Sequence, residues 1–129
     1  MAKVLVAGAG GYLGIPLCKK LIERDHSLIA LDRFFFGRDR LDEIACNERA
    51  AVIVEDIRDF DPEILTGVDV VVDLAGLSND ASAEIDPELT RLINCGAGYA
   101  WRDWRRRPAS GAMCTRAPRL STVTAFMNV

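Results

Sequence analysis

The stretch Lys3-Val4-Leu5-Val6-Ala7-Gly8-Ala9-Gly10-Gly11-Tyr12-Leu13-Gly14 carries the strongest structural signal in the chain. A short apolar run without polar alternation enters a glycine cluster, so it reads as a buried strand rather than a half-exposed one. Gly8, Gly11 and Gly14 are spaced G-x-x-G-x-x-G, with Gly10 a further glycine inside the motif. A residue without Cβ lets the chain turn sharply, lets backbone N–H groups approach a pyrophosphate, and lets the next helix pack closely on the strand. That helix follows from apolar Leu13, Leu17, Leu21 and Ile22 at helical spacing over about 12–24. Pro16 is tolerated there because backbone donors in a first turn are unpaired anyway. The helix N-terminus offers those donors, and its dipole, to phosphates.

Outward from this junction, Ser27-Leu28-Ile29-Ala30-Leu31 reads as a second strand ending at Asp32, 18 residues after Gly14. A carboxylate at that strand end is placed to hydrogen-bond an adenosine ribose 2′-hydroxyl. It would repel a 2′-phosphate, which favours NAD over NADP. Arg33 argues the other way if it turns inward onto the phosphate, and leaves NAD preferred if it is solvated. A helix is expected near 39–48, a third strand over Ala51-Val52-Ile53-Val54 ending in Glu55-Asp56, and a short helix over 61–66 opened by Asp61-Pro62. Val68 to Leu74 is a fourth strand, and a last helix starts at Asp86-Pro87 with Leu89, Leu92 and Ile93 on one face. Strands alternating with helices imply an α/β, doubly wound parallel sheet, incomplete at about four strands. In the order 3-2-1-4-5-6, missing later strands would leave strand 68–74 as an exposed apolar edge that invites aggregation.

The chain has 129 residues and a formal charge of -3, the sum of two unlike parts. Residues 1–96 carry ten basic and eighteen acidic side chains, whereas residues 97–129 carry six arginines and one acid. The length suits one domain and excludes a two-domain enzyme. No segment approaches the roughly 20 apolar residues of a membrane span, and the start is too short and too soon interrupted for a signal peptide, so a cytoplasmic location without membrane association is expected. Cys18, Cys46, Cys95 and Cys114 are widely spaced without a Cys-x-x-Cys pair, which supports neither zinc nor a disulfide framework. His26 reads as a surface turn residue. Phe34-Phe35-Phe36 reads as local packing after the second strand, with an adenine cover or an interface as the other options. The pairs Glu55/Asp56 and Asp59/Asp61 read as solvated charges.

Residues 3–96 resemble the extended short-chain dehydrogenase/reductases of the NAD-dependent epimerase/dehydratase type, which act on nucleotide sugars. The resemblance rests on Val6-Ala7-Gly8 through Gly14, Leu31-Asp32, Asp56-Ile57-Arg58-Asp59, Asp73-Leu74-Ala75-Gly76, and Asp86-Pro87 leading to Ile93-Asn94. It implies a Rossmann-like fold and a cofactor site comprising Gly8, Gly10, Gly11, Tyr12, Leu13, Gly14, Asp32 and Arg33. It further implies Asp56 and Ile57 flanking the adenine, Leu74, Ala75 and Gly76 lining the cofactor with backbone, and Asn94 matching the family's helix asparagine. Asp73 stands where the family often has histidine. In an intact family enzyme, often a homodimer, the nicotinamide would remove hydride from a sugar carbon and usually return it to the same substrate. That chemistry needs a Tyr-x-x-x-Lys pair, in which the lysine lowers the tyrosine pKa. Tyr12 is followed four residues later by Pro16 and Tyr99 by Asp103, and no lysine follows Lys20. No catalytic residue is therefore expected in this chain, which reads as an inactive cofactor-binding portion. A non-catalytic dinucleotide-binding sensor or regulatory module, which needs no such pair, is the competing reading.

The boundary between 1–96 and 97–129 coincides with the end of this resemblance. Trp101-Arg102-Asp103-Trp104-Arg105-Arg106-Arg107 at face value suits RNA or an anionic surface, and an unrelated disordered end is another option. The preferred expectation is a displaced reading frame, with no nucleic-acid partner. If one nucleotide is lost, Trp104 after Asp103 must become leucine, Cys114 after Met113 must become valine, and Asn128 after Met127 must become glutamate. Permitted choices at the other positions give an amphipathic helix over 100–108, then a strand and a serine-rich segment over 109–125 like those of the family.

Overall fold

A computed structural model describes residues 1–77, 86–96, 112–114 and 124–128. Its centre is a parallel sheet of β1 (Lys3–Ala7), β2 (Ser27–Asp32), β3 (Ala50–Val54) and β4 (Val70–Asp73) in the order β3-β2-β1-β4. Val4 lies opposite Leu28 on one side and Val70 on the other, and Leu28 opposite Ala50. Side chains alternate between the faces of a strand, and both faces are covered. Leu5, Ala7, Ile29, Leu31 and Val71 meet Ile57, Leu65 and Val68 on one face. Val4, Val6, Leu28 and Ala30 meet Cys18, Leu41 and Ile44 on the other. This two-sided burial explains why β1 and β2 are continuously apolar in sequence.

Helix α1 (Gly14–Glu23) starts two residues after the apolar spacing first suggests, because Gly11 to Leu13 complete the loop. The Gly11 N–H donates to the Gly8 carbonyl at 3.1 Å, and Ile15 N–H to the Gly11 carbonyl at 3.2 Å. Pro16 falls in the first turn, as its missing donor requires. The helix stops where Asp25 takes a positive φ of 61°, with His26 N–H bonded to the Leu21 carbonyl and Asp25 N–H to that of Ile22. This is a Schellman stop with aspartate in the usual glycine place. His26 follows it as a turn residue whose Nδ1 accepts the Ala2 N–H at 3.2 Å.

The helix expected near 39–48 is shorter: a 3-10 turn (Asp39–Leu41) runs into α2 (Asp42–Ala45). Leu41 and Ile44 are its two buried anchors, and Asn47 ends it by accepting the Arg49 N–H on its side chain at 2.9 Å. Asp61 caps a 3-10 turn (Pro62–Leu65) through the Glu63 N–H at 2.9 Å, and Asp86 caps α3 (Pro87–Arg91) through the Leu89 N–H at 2.9 Å. A π turn (Leu92–Gly96) continues α3 and brings Ile93 against the core.

The sheet corrects one expectation. Strand β4 is not a bare edge: β6 (Thr124–Asn128) pairs with it antiparallel, Val71 opposite Phe126, and β5 (Ala112–Cys114) pairs antiparallel with β6. The outer N–H and C=O groups of β4 form a template for any extended segment, and a five-residue run from the C-terminal stretch fills it. Two strands therefore come from the part expected to lack native structure. The basic run from Trp101 to Arg107 lies outside the described residues.

Leu5 is fully buried at the centre of the sheet. Leu5→Ala is expected to lower unfolding free energy by about 2–5 kcal/mol, measured by urea denaturation; a loss below 1 kcal/mol would show that β1 is not the core strand.

Candidate cofactor site

The site forms where the C-terminal ends of β1, β2 and β4 meet. Gly8 has φ +77°, and a Cβ there would lie 2.7 Å from both Ala75 N and the Leu74 carbonyl carbon. A side chain is excluded twice, by conformation and by space. Gly8 N–H bonds the Leu31 carbonyl at 2.9 Å while Leu74 N–H bonds the Ala7 carbonyl at 2.9 Å, so the loop leaves the sheet between its two neighbours. Gly14 serves packing: a Cβ there would be 2.7 Å from Ala9 Cα. At Gly10 a Cβ would press on the Phe34 ring at 2.8 Å and come within 3.3 Å of Asp32 Oδ2.

Asp32 is tied to this loop. Its Oδ2 accepts the Gly10 N–H at 2.9 Å and its Oδ1 accepts the Phe34 N–H at 2.7 Å. Each carboxylate oxygen has a second lone pair, so both can still accept a ligand hydroxyl. Phe34 reverses the chain with φ 52° and packs against the core.

A cleft of about 350 Å³ opens beside Asp32, with Gly8, Gly10, Gly11, Arg33, Asp56, Ile57, Leu74, Ala75 and Gly76 on its walls. Ten of the thirteen residues expected at a cofactor site are thus brought together. Tyr12, 91% exposed, and Leu13 stand at the start of α1 outside the cleft lining, and Gly14 lies beneath the loop. Residues not anticipated there include Glu55, Arg58, Leu77, Leu89 and Ile93. All three phenylalanines line the cleft, and the run divides in its packing: Phe34 also packs against the core, as expected, whereas Phe35 and Phe36 are 75% and 96% exposed. Three aromatics directly after Asp32 were the available signal.

Asp56 is not a solvated charge either. Its side chain is only 21% exposed. Arg58 grips it with Nε on Oδ1 at 2.9 Å, Nη2 on Oδ2 at 2.6 Å and the backbone N–H on Oδ1 at 2.9 Å. Arg33 Nη1 adds a bond to Oδ2 at 3.0 Å, with its guanidinium carbon 4.6 Å from the Phe35 ring centre. The Arg58 hydrogen bond, helped by its charge and that of Arg33, holds the Asp56 carboxyl down at about 2. Glu55 meanwhile accepts the Asp61 N–H at 3.1 Å, and Asp61 caps the following turn, so neither acidic pair forms an acid/base couple.

Two further polar groups shape the segment after β4. Buried Asp73 accepts the Ala75 N–H on Oδ1 at 3.1 Å. Asn94 clamps Leu77 from both sides, its Oδ1 accepting the N–H at 2.8 Å and its Nδ2 donating to the carbonyl at 2.9 Å. The Cys18 thiol is buried and pushed up to about 12 by desolvation, which makes it inert packing. Among the described residues no cluster of three or more His, Cys, Asp or Glu side chains could hold a metal, and no helix is long and apolar enough to cross a membrane.

A parallel sheet with a glycine turn, a carboxylate at the end of the second strand and a cleft over the strand ends defines a dinucleotide-type fold. The profile of the NAD dependent epimerase/dehydratase family matches residues 4–101, and the chain belongs to that family, whose cofactor is a nicotinamide dinucleotide. Solved structures of similar fold include a UDP-N-acetylglucosamine 4-epimerase from Methanobrevibacter ruminantium M1, 26% identical with a TM-score of 0.72 over 81% of this chain and 34% of that one. A UDP-glucose-4-epimerase from Stenotrophomonas maltophila with bound NAD is 20% identical, TM-score 0.72, over 82% of this chain and 34% of that one. The chain thus spans about a third of the length of these epimerases. A 2-alkyl-3-oxoalkanoate reductase from Stenotrophomonas maltophilia (strain K279a) is 52% identical over 31 residues, 24% of this chain and 9% of that protein.

The Asp56 environment sets a pH response. Its folded pKa lies below the ordinary carboxylate value, so its contribution to stability is present above about pH 4 and disappears as pH falls through about 2. A carbon-detected NMR titration is expected to place the Asp56 midpoint near 2, and Arg58→Ala to move it up toward the usual range. An unmoved midpoint would remove Arg58 as the cause.

Proposed function

We propose that this chain binds NAD in preference to NADP as the cofactor-binding N-terminal part of a nucleotide-sugar epimerase or dehydratase-type oxidoreductase. The observation that carries this reading is the bond from Gly10 N–H to Asp32 Oδ2 at 2.9 Å, which holds the glycine loop and the strand-end carboxylate together on one rim; in this reading the loop faces phosphates and the carboxylate accepts from ribose. The fit of a dinucleotide is supported by chemistry already on that rim. Gly10 and Gly11 leave the backbone accessible over the start of α1, where N–H groups favour a pyrophosphate. Asp32 retains acceptor lone pairs for ribose hydroxyls. Ile57, Leu74 and Ala75 offer apolar wall to an adenine, with Asp56 as a polar neighbour.

Bound nicotinamide would supply reversible hydride transfer with a sugar carbon. The proton partner of that chemistry, a Tyr-x-x-x-Lys pair, is absent from the sequence. We therefore infer a chain that holds cofactor without turnover, with nucleotide-sugar recognition belonging to an intact enzyme. The same absence supports a dinucleotide sensor as the second reading. Residues 97–129 are proposed to be in a displaced frame, which reading the coding DNA from Asn94 onward in all three frames tests. An open alternative frame that encodes Tyr-x-x-x-Lys supports the enzyme; one that continues without it supports the sensor, and an immediate stop in that frame removes the displacement.

Binding is tested by calorimetric titration of the 129-residue chain. Saturable NAD binding, tighter than NADP, is expected, and Asp32→Ala should weaken NAD by about tenfold or more through loss of charged hydrogen bonds to ribose. Wild-type protein that takes up neither dinucleotide overturns the reading.

A further inference from the structure

We propose that Asp56 is a positioning residue for cofactor choice: it favours NAD over NADP by holding the Arg33 guanidinium away from the ribose beside Asp32. This rests on the dinucleotide-binding reading above. Arg33 directly follows Asp32 and is the cation best placed in sequence to take a 2′-phosphate, for which a guanidinium fork is well suited. In the structure that fork faces Asp56, with Nη1 3.0 Å from Oδ2, while its plane covers Phe35 at 4.6 Å. An ionic contact and a stack together bias its direction.

The linkage is one-sided. Arg58 holds Asp56 with two side-chain bonds and one backbone bond. Asp56 therefore keeps its orientation whether or not Arg33 is present. Both guanidiniums on the cleft wall are drawn to this one carboxylate, and Asp32 is paired with backbone N–H groups instead. A 2′-phosphate arriving beside Asp32 would meet a carboxylate whose neighbouring cation is already engaged. A ribose 2′-hydroxyl would meet an acceptor. A separation of 23 positions along the chain between Arg33 and Asp56 hides this arrangement from any local motif.

The pair is partly exposed, and such pairs are worth up to about fivefold in an equilibrium. The test is the ratio of dissociation constants for NADP and NAD, measured by calorimetry on the full 129-residue chain. If the wild type binds neither, dinucleotide binding itself fails. If it binds NAD, Asp56→Asn is expected to shift the ratio toward NADP by about two- to fivefold. That shift should vanish when Arg33→Ala is added. Arg33→Ala alone should move the ratio by less than about twofold, because the guanidinium does not serve the phosphate site in the wild type. An Asp56→Asn shift that persists without Arg33 overturns the proposal, since Asp56 would then act by its own charge. No shift also overturns it. Should Asp56→Asn fail to fold by circular dichroism, Arg33→Ala, which removes a half-exposed side chain of the cleft wall, decides alone: a selective loss of NADP binding overturns the proposal, and an unchanged ratio upholds it.

Discussion

The cleft depends on the close approach of Gly8 to the backbone that leaves β4. At that point the peptide groups of Leu74 and Ala75 lie where any Cβ would have to be, and the positive φ at Gly8 turns the chain out of the sheet. One unsubstituted residue thereby lets the ends of β1, β2 and β4 converge. Gly14 repeats the device one turn later, letting α1 sit directly on the loop that precedes it. Larger residues at either position would separate elements whose contact creates the site, so the glycines act first on packing and only then on ligand access.

Two carboxylates at neighbouring strand ends take different parts because their partners differ. Asp32, after β2, is held by backbone N–H groups of its own loop and the glycine loop, which fixes its place without cancelling its charge. Asp56, after β3, is held by two arginines and becomes a neutralised anchor. The rim is accordingly divided into a charged acceptor and a charge-balanced wall. Phe35 joins the two by carrying Arg33 across its face.

The C-terminal stretch adds a different lesson. A parallel neighbour for β4 requires a long crossover, whereas an antiparallel strand requires only an extended run of suitable length. Thr124–Asn128 meets the weaker requirement, and four of its residues, Thr124 to Met127, pair along the edge of β4. The pairing concerns backbone groups, which are the same in every residue type.

Much of the fold was legible in order of residues: four apolar runs, the glycine loop, Asp61 and Asp86 as caps, and the alternation that makes a parallel sheet. Local signals sufficed because strand burial, caps and tight turns are encoded within a few residues. The length of the helix after β2 was not legible, since Asn47 stops it through its own hydrogen bond to Arg49. Neither was the covered edge of β4, which depends on a segment more than 50 residues away. For the site, the glycine loop and Asp32 were legible from the residues alone, because steric demand and strand-end position are local properties. The partner of Arg33, the capture of Asp56 by two guanidiniums and the Asn94 clamp on Leu77 emerge only once the chain is folded. Those are choices among partners brought near by folding, and no spacing along the chain ranks one partner above another.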